Sequence, residues 1–265
     1  MYIIYLLIIF LLLGWLIFNT HFYKKTTHSL SFNLSNHLTV LHISDLHGKT
    51  RFINGRLSSI VLKSNPDILI ITGDLVSRKR QLPSVMKEIK KIKNSGIKIY
   101  FTPGNYERET MNFFNKRAIH DKEYIENKSF IEDYMCVLEN KGEMIFIKDT
   151  KINIYGFDNS IYGNERNNTG NLPSKSDLTF YLAHSPNIIS YIEDKGLFFN
   201  FLFAGHTHGG QIRLFDKTVG PYKDFHLGLK KINKNQYFFI TRGIGTVKIP
   251  FRINCYPEIA VFNIR

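Results

Sequence analysis

Gly205-His206-Thr207-His208-Gly209-Gly210 follows directly on the apolar run Phe201-Leu202-Phe203-Ala204. A short apolar run bounded by turn residues predicts a buried strand. Where the chain leaves such a strand, side chains two residues apart can point the same way, so His206 and His208 could hold a metal ion together. The flanking glycines let the backbone turn tightly and leave room for ions and substrate. The alternative interpretation of this stretch, taken alone, is a polar turn whose histidines have no function.

Four other apolar runs end in the same kind of side chain. The runs cover 38–44, 67–71, 97–101 and 178–183, and the residues at their exits are Asp45 with His47, Asp74, Asn105 and His184. Taken singly, an Asp after a strand is usually a helix cap, and a lone His is usually a surface or core group. Five exits of this kind are hard to assign to capping. Because ligands bind at the carboxyl ends of strands in open α/β sheets, the exits predict one shared site.

The spacing of apolar residues predicts strands that alternate with helices in the first half of the chain. One helical pattern runs from Leu57 to a stop at Asn65-Pro66, and a second runs from Pro83 to Gly96. This alternation is typical of an α/β fold with parallel strand pairing.

The second half of the chain is rich in short strand patterns. A third helical pattern, 131–138, comes before them and is predicted to end at Gly142, and we interpret the mixed stretch 113–128 as an insertion. The predicted strands cover 144–147, 152–157, 178–183, 201–204, 211–214, 237–241 and 259–264.

Composition describes a folded, basic protein. The chain has 265 residues, of which 43% are hydrophobic, enough for one large domain with a sizeable core. Its formal net charge of +13 favours acidic partners, namely nucleic acid, an anionic membrane surface or a phosphorylated substrate. Cys136 and Cys255 stand in unrelated contexts, so we interpret them as core or free thiols rather than as a disulfide or a zinc site.

The N-terminal stretch 2–18 is apolar apart from a glycine and the tyrosines. As a helix it would span about 25 Å, close to the hydrocarbon thickness of a bilayer. A cleaved signal peptide is the alternative, but basic residues before the run and a small-x-small cleavage site after it are missing. We therefore predict a transmembrane anchor at 1–23, a linker at 24–37 and a catalytic domain at 38–265. Because Lys24 and Lys25 follow the anchor, the positive-inside rule predicts a single-pass cell-membrane protein whose catalytic domain is cytoplasmic.

The residue types at the strand exits suit two metal ions. Asp74 has two oxygens and can bridge them. Four histidines favour manganese, iron or zinc over magnesium or calcium, which prefer oxygen ligands. Two such ions can clamp a phosphate and generate hydroxide from a bound water. We therefore expect two divalent transition-metal ions, with manganese preferred.

The set Asp45-Leu46-His47, Gly73-Asp74, Gly104-Asn105, His184 and Gly205-His206-Thr207-His208 resembles the signature of the calcineurin-like metallophosphoesterases. The resemblance extends from about residue 38 to the C-terminus. It implies an α/β fold in which a β-sandwich is flanked by helices, a four-layer αββα arrangement. It also implies two metal ions with separate ligand sets. One metal would be held by Asp45, His47, Asp74 and His208. The other would be held by Asp74, Asn105, His184 and His206.

The anchor and three C-terminal stretches make the chain similar to membrane-associated phosphoesterases of the UDP-2,3-diacylglucosamine pyrophosphatase type. The stretches are 209–213, 241–252 and 257–259. The resemblance implies that a metal-bound hydroxide hydrolyses a phosphodiester or pyrophosphate bond on a lipid-linked or nucleotide-linked substrate. The expected partners are that substrate and an anionic membrane surface, and no nucleic acid is expected.

One position departs from the family pattern. After Gly-Asn the family usually has His, which helps to protonate the leaving group or to hold the phosphate, whereas this chain has Tyr106 followed by Glu107. Tyr106 can still donate a hydrogen bond and is the predicted catalytic residue, although its ordinary pKa of about 10 makes it a different acid. The alternative is that Tyr106 only packs.

Two other functions remain open at this stage. A non-catalytic metal-binding scaffold is supported by the missing histidine and opposed by the complete ligand set. A metal-dependent nuclease is suggested by the basic charge, but the chain has no distinct tract of basic and aromatic residues for binding single strands.

Overall fold

The computed structural model describes residues 2–112, 115–173, 175–214, 217–218 and 222–265. Within these residues the α-helices are α1 (Tyr2–His21), α2 (Leu57–Ser64), α3 (Leu82–Lys93), α4 (Asp121–Glu132) and α5 (Ile188–Asp194). Short 3₁₀ turns occur at Lys79–Gln81, Thr169–Asn171 and His208–Gly210.

The strands of the described residues form two large mixed sheets and three small hairpins. In chain order they are β1 (Lys24–Leu30), β2 (Leu38–Ile43), β3 (Arg51–Phe52), β4 (Gly55–Arg56), β5 (Ile68–Thr72), β6 (Lys98–Thr102), β7 (Glu109–Asn112), β8 (Asn115–Ala118), β9 (Cys136–Val137), β10 (Lys141–Ile147), β11 (Thr150–Gly156), β12 (Leu178–Leu182), β13 (Phe201–Ala204), β14 (Arg213–Leu214), β15 (Lys217–Thr218), β16 (Gly228–Asn233), β17 (Gln236–Ile240) and β18 (Glu258–Ile264). The first sheet has the order β1-β18-β2-β5-β6-β9, and the second has the order β10-β11-β12-β13-β17-β16.

The central strands β5 and β13 are apolar along almost their whole length because both of their faces are buried. In β5, Ile68 and Ile70 point into the core between the two sheets, whereas Leu69 and Ile71 point to the helices on the outer face. In β13, Phe201 and Phe203 reach the inter-sheet core, and Leu202 packs on the other side. Strands covered on both faces read as continuous hydrophobic runs.

Helices cover the outer face of each sheet. Apolar residues of α2, α3 and α4 pack on the first sheet, and Ile188 and Ile192 of α5 pack on the second. The two predicted helix boundaries hold: α2 ends at Asn65, which adopts a left-handed conformation before Pro66, and Pro83 lies in the first turn of α3. The predicted α/β four-layer fold is confirmed.

The structure differs from the sequence prediction at 24–37. This range was predicted to be a linker, but Lys24–Leu30 forms β1 and pairs in parallel with β18. The strand is polar because it lies at the sheet edge and only alternate residues are partly covered. Thr residues, which we associated with a linker, also suit such a half-exposed strand.

The predicted helix at 131–138 is also wrong. The helix of this region is α4, which begins in the stretch interpreted as an insertion and ends at Glu132, and β9 occupies Cys136–Val137. Ile131, Met135 and Leu138 are all buried, but Ile131 belongs to the last turn of α4, Met135 to the turn that follows and Leu138 to the position just after the short strand, so their helical spacing is a coincidence. Residues 113 and 114 of the proposed insertion lie outside the described residues.

Helix α1 is long and apolar enough to cross a membrane. Most of its side chains are exposed, and the buried ones are Asn19 and Thr20 in its last turn. The helix therefore touches the domain only through its C-terminal end.

Candidate metal centre

The seven predicted ligand residues lie together at one edge of the sandwich. Parallel strands β2, β5 and β6 of the first sheet lead to Asp45, Asp74 and Asn105, and β12 and β13 of the second lead to His184 and His206. Two groups with ligand atoms within 4.8 Å of one another form there: Asp45, His47, Asp74 and His208; Asp74, His184 and His206. Asp74 belongs to both groups.

The backbone at this edge is unusual. Five of the seven residues have positive φ angles, which are uncommon outside glycine and cluster at functional sites: Asp45, His47, Asp74, His206 and His208. Each turns the chain sharply at a strand exit and aims its side chain at the common point. Glycine is also required at position 205, because a Cβ there would collide with the Ser44 hydroxyl and the Asp45 carboxylate.

In the first group, the imidazole rings of His47 and His208 are in direct contact. Nε2 of His47 lies 3.1 Å from Nε2 of His208, and the rings are stacked. The carboxylates stand beside them, with Asp45 Oδ1 at 3.3 Å from His208 Nε2 and Asp74 Oδ2 at 3.6 Å from His47 Nε2. Nδ1 of His47 lies 2.9 Å from the Ser77 hydroxyl, which can fix the orientation of the ring.

The second group can bind a cation because a hydrogen bond at Nδ1 of His184 leaves the Nε2 lone pair of that ring free for a metal. Its Nδ1 lies 2.9 Å from the Thr72 carbonyl, which only accepts, so Nδ1 carries the proton. Its Nε2 then presents a lone pair to two acceptor oxygens, Asp74 Oδ2 at 3.3 Å and Asn105 Oδ1 at 3.1 Å, and Nδ1 of His206 lies 3.1 Å from the same nitrogen. Converging lone pairs need a proton or a metal ion between them, and the donor set is that of a transition metal.

The electrostatics of the buried cluster favour the neutral form of His47, His206 and His208 and leave His184 as the imidazole that best holds a positive charge. Burial lowers the pKa of His47 to about 4 and that of His206 to about 3. Burial opposes a charge on His184 as well, but Asp74 raises the pKa of His184 to about 9. Burial would also raise the pKa of Asp74, yet His184 beside it holds that pKa well below its usual range. The strong coupling of His184 with Asp74 marks the place where a cation is best stabilised.

Sequence reasoning missed several residues that support the centre. The Glu107 carboxylate accepts backbone N–H bonds from Asp74, Leu75 and Gly104, so it joins two ligand loops. The sequence clue to this role was that Glu107 directly follows Tyr106 in the Gly-Asn motif. Tyr222 lies with its hydroxyl 3.0 Å from His206 Nε2.

Arg252 was also missed, because in the sequence it contributes only to a subgroup resemblance. It is fully buried, and its guanidinium donates to the backbone carbonyls of Gly245 and His208. No local pattern in the sequence indicates such distant contacts.

Tyr106 lies beside the first group. Its ring meets the His47 ring edge-on at 4.8 Å between centroids, and its hydroxyl contacts the Met111 sulfur at 3.6 Å. Lys116 of β8 places its ammonium 4.6 Å from the centre of the Tyr106 ring. Both residues line a cavity of about 470 Å³ next to the candidate ligands, and the cavity wall also includes Ile212, Tyr222, Val247, Lys248 and Ile249.

Comparison with known proteins agrees with this geometry. Residues 38–210 match the calcineurin-like phosphoesterase family. The chain is 28% identical over 243 residues to the uncharacterized metallophosphoesterase YkoQ of Bacillus subtilis (strain 168), which covers 86% of this chain and 83% of YkoQ. It is 23% identical over 256 residues to phosphodiesterase YaeI of Escherichia coli (strain K12), covering 91% of this chain and 88% of YaeI.

The chain therefore belongs to the calcineurin-like phosphoesterases, because the family match extends over more than half of its length. It is a metallophosphoesterase, a hydrolase that acts on phosphoester bonds. The family and the enzyme class predicted from the sequence are confirmed.

One relative carries the word transmembrane in its name. The chain is 25% identical over 245 residues to the transmembrane protein with metallophosphoesterase domain of Danio rerio, covering 84% of this chain and 52% of that relative. This similarity and the apolar α1 agree with the predicted membrane helix.

Proposed function

We propose that this protein is a membrane-anchored binuclear phosphoesterase that hydrolyses a phosphodiester or pyrophosphate bond at the membrane surface. The observation that carries the proposal is the pair of buried ligand groups that share Asp74. One metal ion would be held by Asp45, His47, Asp74 and His208, and the other by Asp74, Asn105, His184 and His206. When bound, two such ions supply positive charge for the phosphate and lower the pKa of a water molecule. Manganese is the preferred metal, with iron or zinc as alternatives.

The protein's own groups would orient the phosphate. Lys116 and Tyr106 line the cavity, and both can donate to phosphate oxygens. Burial and the Asp74 carboxylate raise the pKa of Tyr106, so its hydroxyl keeps its proton at neutral pH. In this proposal the hydroxyl orients a phosphate oxygen or gives a proton to the leaving oxygen.

The proposed substrate is lipid-linked or nucleotide-linked, and UDP-2,3-diacylglucosamine is an example of the class. Apolar side chains at one side of the cavity support this assignment, and Ile249 there is 41% exposed. The charge of +13 suits an anionic membrane surface as partner, at roughly 1 kcal/mol for each basic residue close to it. We propose the cell membrane as the location and the cytoplasm as the side on which the domain lies.

The experiment is an activity screen of the full chain in detergent micelles after reconstitution with Mn²⁺. The panel contains a water-soluble phosphodiester, UDP-2,3-diacylglucosamine, and single-stranded DNA and RNA. Mn²⁺-dependent cleavage of the phosphodiester and the lipid-linked substrate is expected. Metal binding without turnover of any ester would indicate a scaffold, and preferred cleavage of DNA or RNA would indicate a nuclease.

A further inference from the structure

The last turn of α1 is built into the catalytic domain by hydrogen bonds. Asn19 and Thr20 are 0% and 4% exposed, in a helix whose other residues lie largely outside the domain. Oγ1 of Thr20 accepts from the backbone N–H of Arg252 at 3.0 Å, and Oδ1 of Asn19 accepts from the backbone N–H of Asn254 at 3.1 Å. Two side chains of the helix therefore hold the loop 252–254.

The carbonyl groups at the same helix end contact a second loop. The Lys49 ammonium donates to the Thr20 carbonyl, and the Ile53 N–H donates to the His21 carbonyl at 2.8 Å. Lys49 is two residues after His47. The helix end thus joins the loop that follows His47 to the loop that contains Arg252.

Arg252 connects the helix end to two further ligand residues, His208 directly and Asp45 through Gly245. Its guanidinium donates to the Gly245 carbonyl, at 2.9 Å from Nε, and to the His208 carbonyl, at 3.3 Å from Nη1. The Gly245 N–H in turn donates to the Asp45 carbonyl at 2.6 Å. Asp45, His47 and His208 are three of the four residues of the first ligand group.

We propose that the end of the N-terminal helix is a positioning element of the metal centre, in which Thr20 and Asn19 hold the loop 252–254, and Arg252 in that loop thereby fixes the backbone of Asp45 and His208. A helix that served only as a tether would need no buried polar side chains at its end. The proposal rests on the proposed function, because it takes Asp45, His47 and His208 as metal ligands. It adds that α1 is coupled to the first metal position.

The test uses the full chain in detergent micelles and compares Thr20→Val with Thr20→Ser. Val has nearly the shape of Thr but cannot accept the Arg252 N–H, whereas Ser keeps the acceptor. Thr27→Val is the matched control, because Thr27 is exposed on β1. Hydrogen exchange of the segment 250–256 is measured on metal-free protein, and Mn²⁺ binding is measured by titration with the metal alone.

In Thr20→Val, amide exchange in 250–256 is expected to rise on the order of tenfold, because a buried N–H loses its acceptor. Mn²⁺ binding is expected to weaken by a similar factor at one of the two positions. Exchange in the core strand β2 should stay unchanged, which separates this effect from general unfolding. Thr20→Ser and Thr27→Val should match the parent protein in both measurements.

Unchanged amide exchange in 250–256 of Thr20→Val would overturn the proposal. Faster exchange with unchanged Mn²⁺ affinity would also overturn it, because the helix end would then contact the domain without positioning the metal ligands. Equal losses in Thr20→Ser and Thr20→Val would also overturn it, because the acceptor would then be irrelevant. A parent protein that binds no Mn²⁺ would refute the proposed function first. That failure is seen before any variant is compared.

Discussion

Nε2 of His184 lies 3.3 Å from Oδ2 of Asp74, and the same oxygen lies 3.6 Å from Nε2 of His47. The two histidines come from different sheets of the sandwich, so this one carboxylate oxygen connects the two ligand groups. Its partner oxygen, Oδ1, is held by the Tyr106 N–H at 2.9 Å. Asp74 is thus fixed in place and directed at both groups.

Asp74→Asn should reduce metal binding at both positions, because a neutral amide replaces the shared anionic ligand. Asn keeps the size of the side chain and an acceptor for the Tyr106 N–H. We expect metal content to fall from about two transition-metal ions per chain to less than one, with activity close to background. Elemental analysis of the Mn²⁺-reconstituted protein gives the readout.

Asp67→Asn is the matched control, because Asp67 precedes the same strand that leads to Asp74 but lies at its other end. It bonds to the Thr39 N–H and to Lys148, away from the ligand groups. Metal content should therefore stay at the parent level. A parent chain with fewer than one metal ion, or an Asp74→Asn variant with the full complement, would contradict the binuclear assignment.

The strands and the ligand residues could be predicted because their signals are local. Ile68 to Ile71 are buried on both faces, so the sequence itself is apolar, and Asp74 follows within three residues. The pairing of β1 with β18 could not be predicted, since it joins residues about 230 positions apart and Lys24–Leu30 has the polar composition of a linker. The role of Arg252 could not be predicted for the same reason, because it depends on contacts with His208 and Thr20 that only the fold creates.

Tyr106→Phe tests the proposed proton donor. If the hydroxyl assists the leaving group, turnover of an alkyl phosphodiester should fall by about 10²–10⁴-fold, the usual range for general acid catalysis. A nitrophenyl ester should lose much less, because nitrophenolate leaves without protonation. Steady-state kinetics on both esters give the comparison, with metal content as the control. Parent-level rates on the alkyl ester would assign Tyr106 to packing against His47 and Met111.

Lys116→Met should weaken substrate binding. Lys116 lines the cavity and also pairs with Glu109 at 2.8 Å, so its charge is held near the place where phosphate would lie. Loss of one charged hydrogen bond should raise KM on the order of tenfold, with a smaller change in kcat. Arg117→Met on the opposite face of the same strand is the control and should leave KM unchanged. Equal KM values for Lys116→Met and the parent would remove Lys116 from the phosphate site.

The orientation of the anchor is tested by protease protection on intact cells. Lys24 and Lys25 directly follow the apolar helix, and the positive-inside rule places such residues in the cytoplasm. The domain should therefore resist external protease and become sensitive after the cells are lysed. Digestion from outside would reverse the orientation and leave the proposed chemistry intact.

The lipid nature of the substrate is tested at the apolar side of the cavity. Ile249 lies there beside Val247 and Ile212, and it is exposed although its side chain is apolar. If acyl chains or the bilayer surface contact this side, Ile249→Ser should lower kcat/KM on a lipid-linked pyrophosphate about threefold to tenfold, the effect of losing the partial burial of one apolar side chain. The rate on a water-soluble diester should stay the same, because the ligand groups are untouched.

Phe198→Ser is the control for that experiment. Phe198 is also apolar and exposed, but it follows α5 and is not part of the cavity wall. It should leave both rates unchanged. Phe113 and Phe114, at the start of the stretch interpreted as an insertion, are apolar residues that we also propose as acyl contacts. They lie outside the described structure, so their replacement by serine is a separate arm with the same expected selectivity. Equal efficiency on anionic vesicles and on the soluble diester, unchanged in all of these variants, would leave a general phosphodiesterase without a lipid preference.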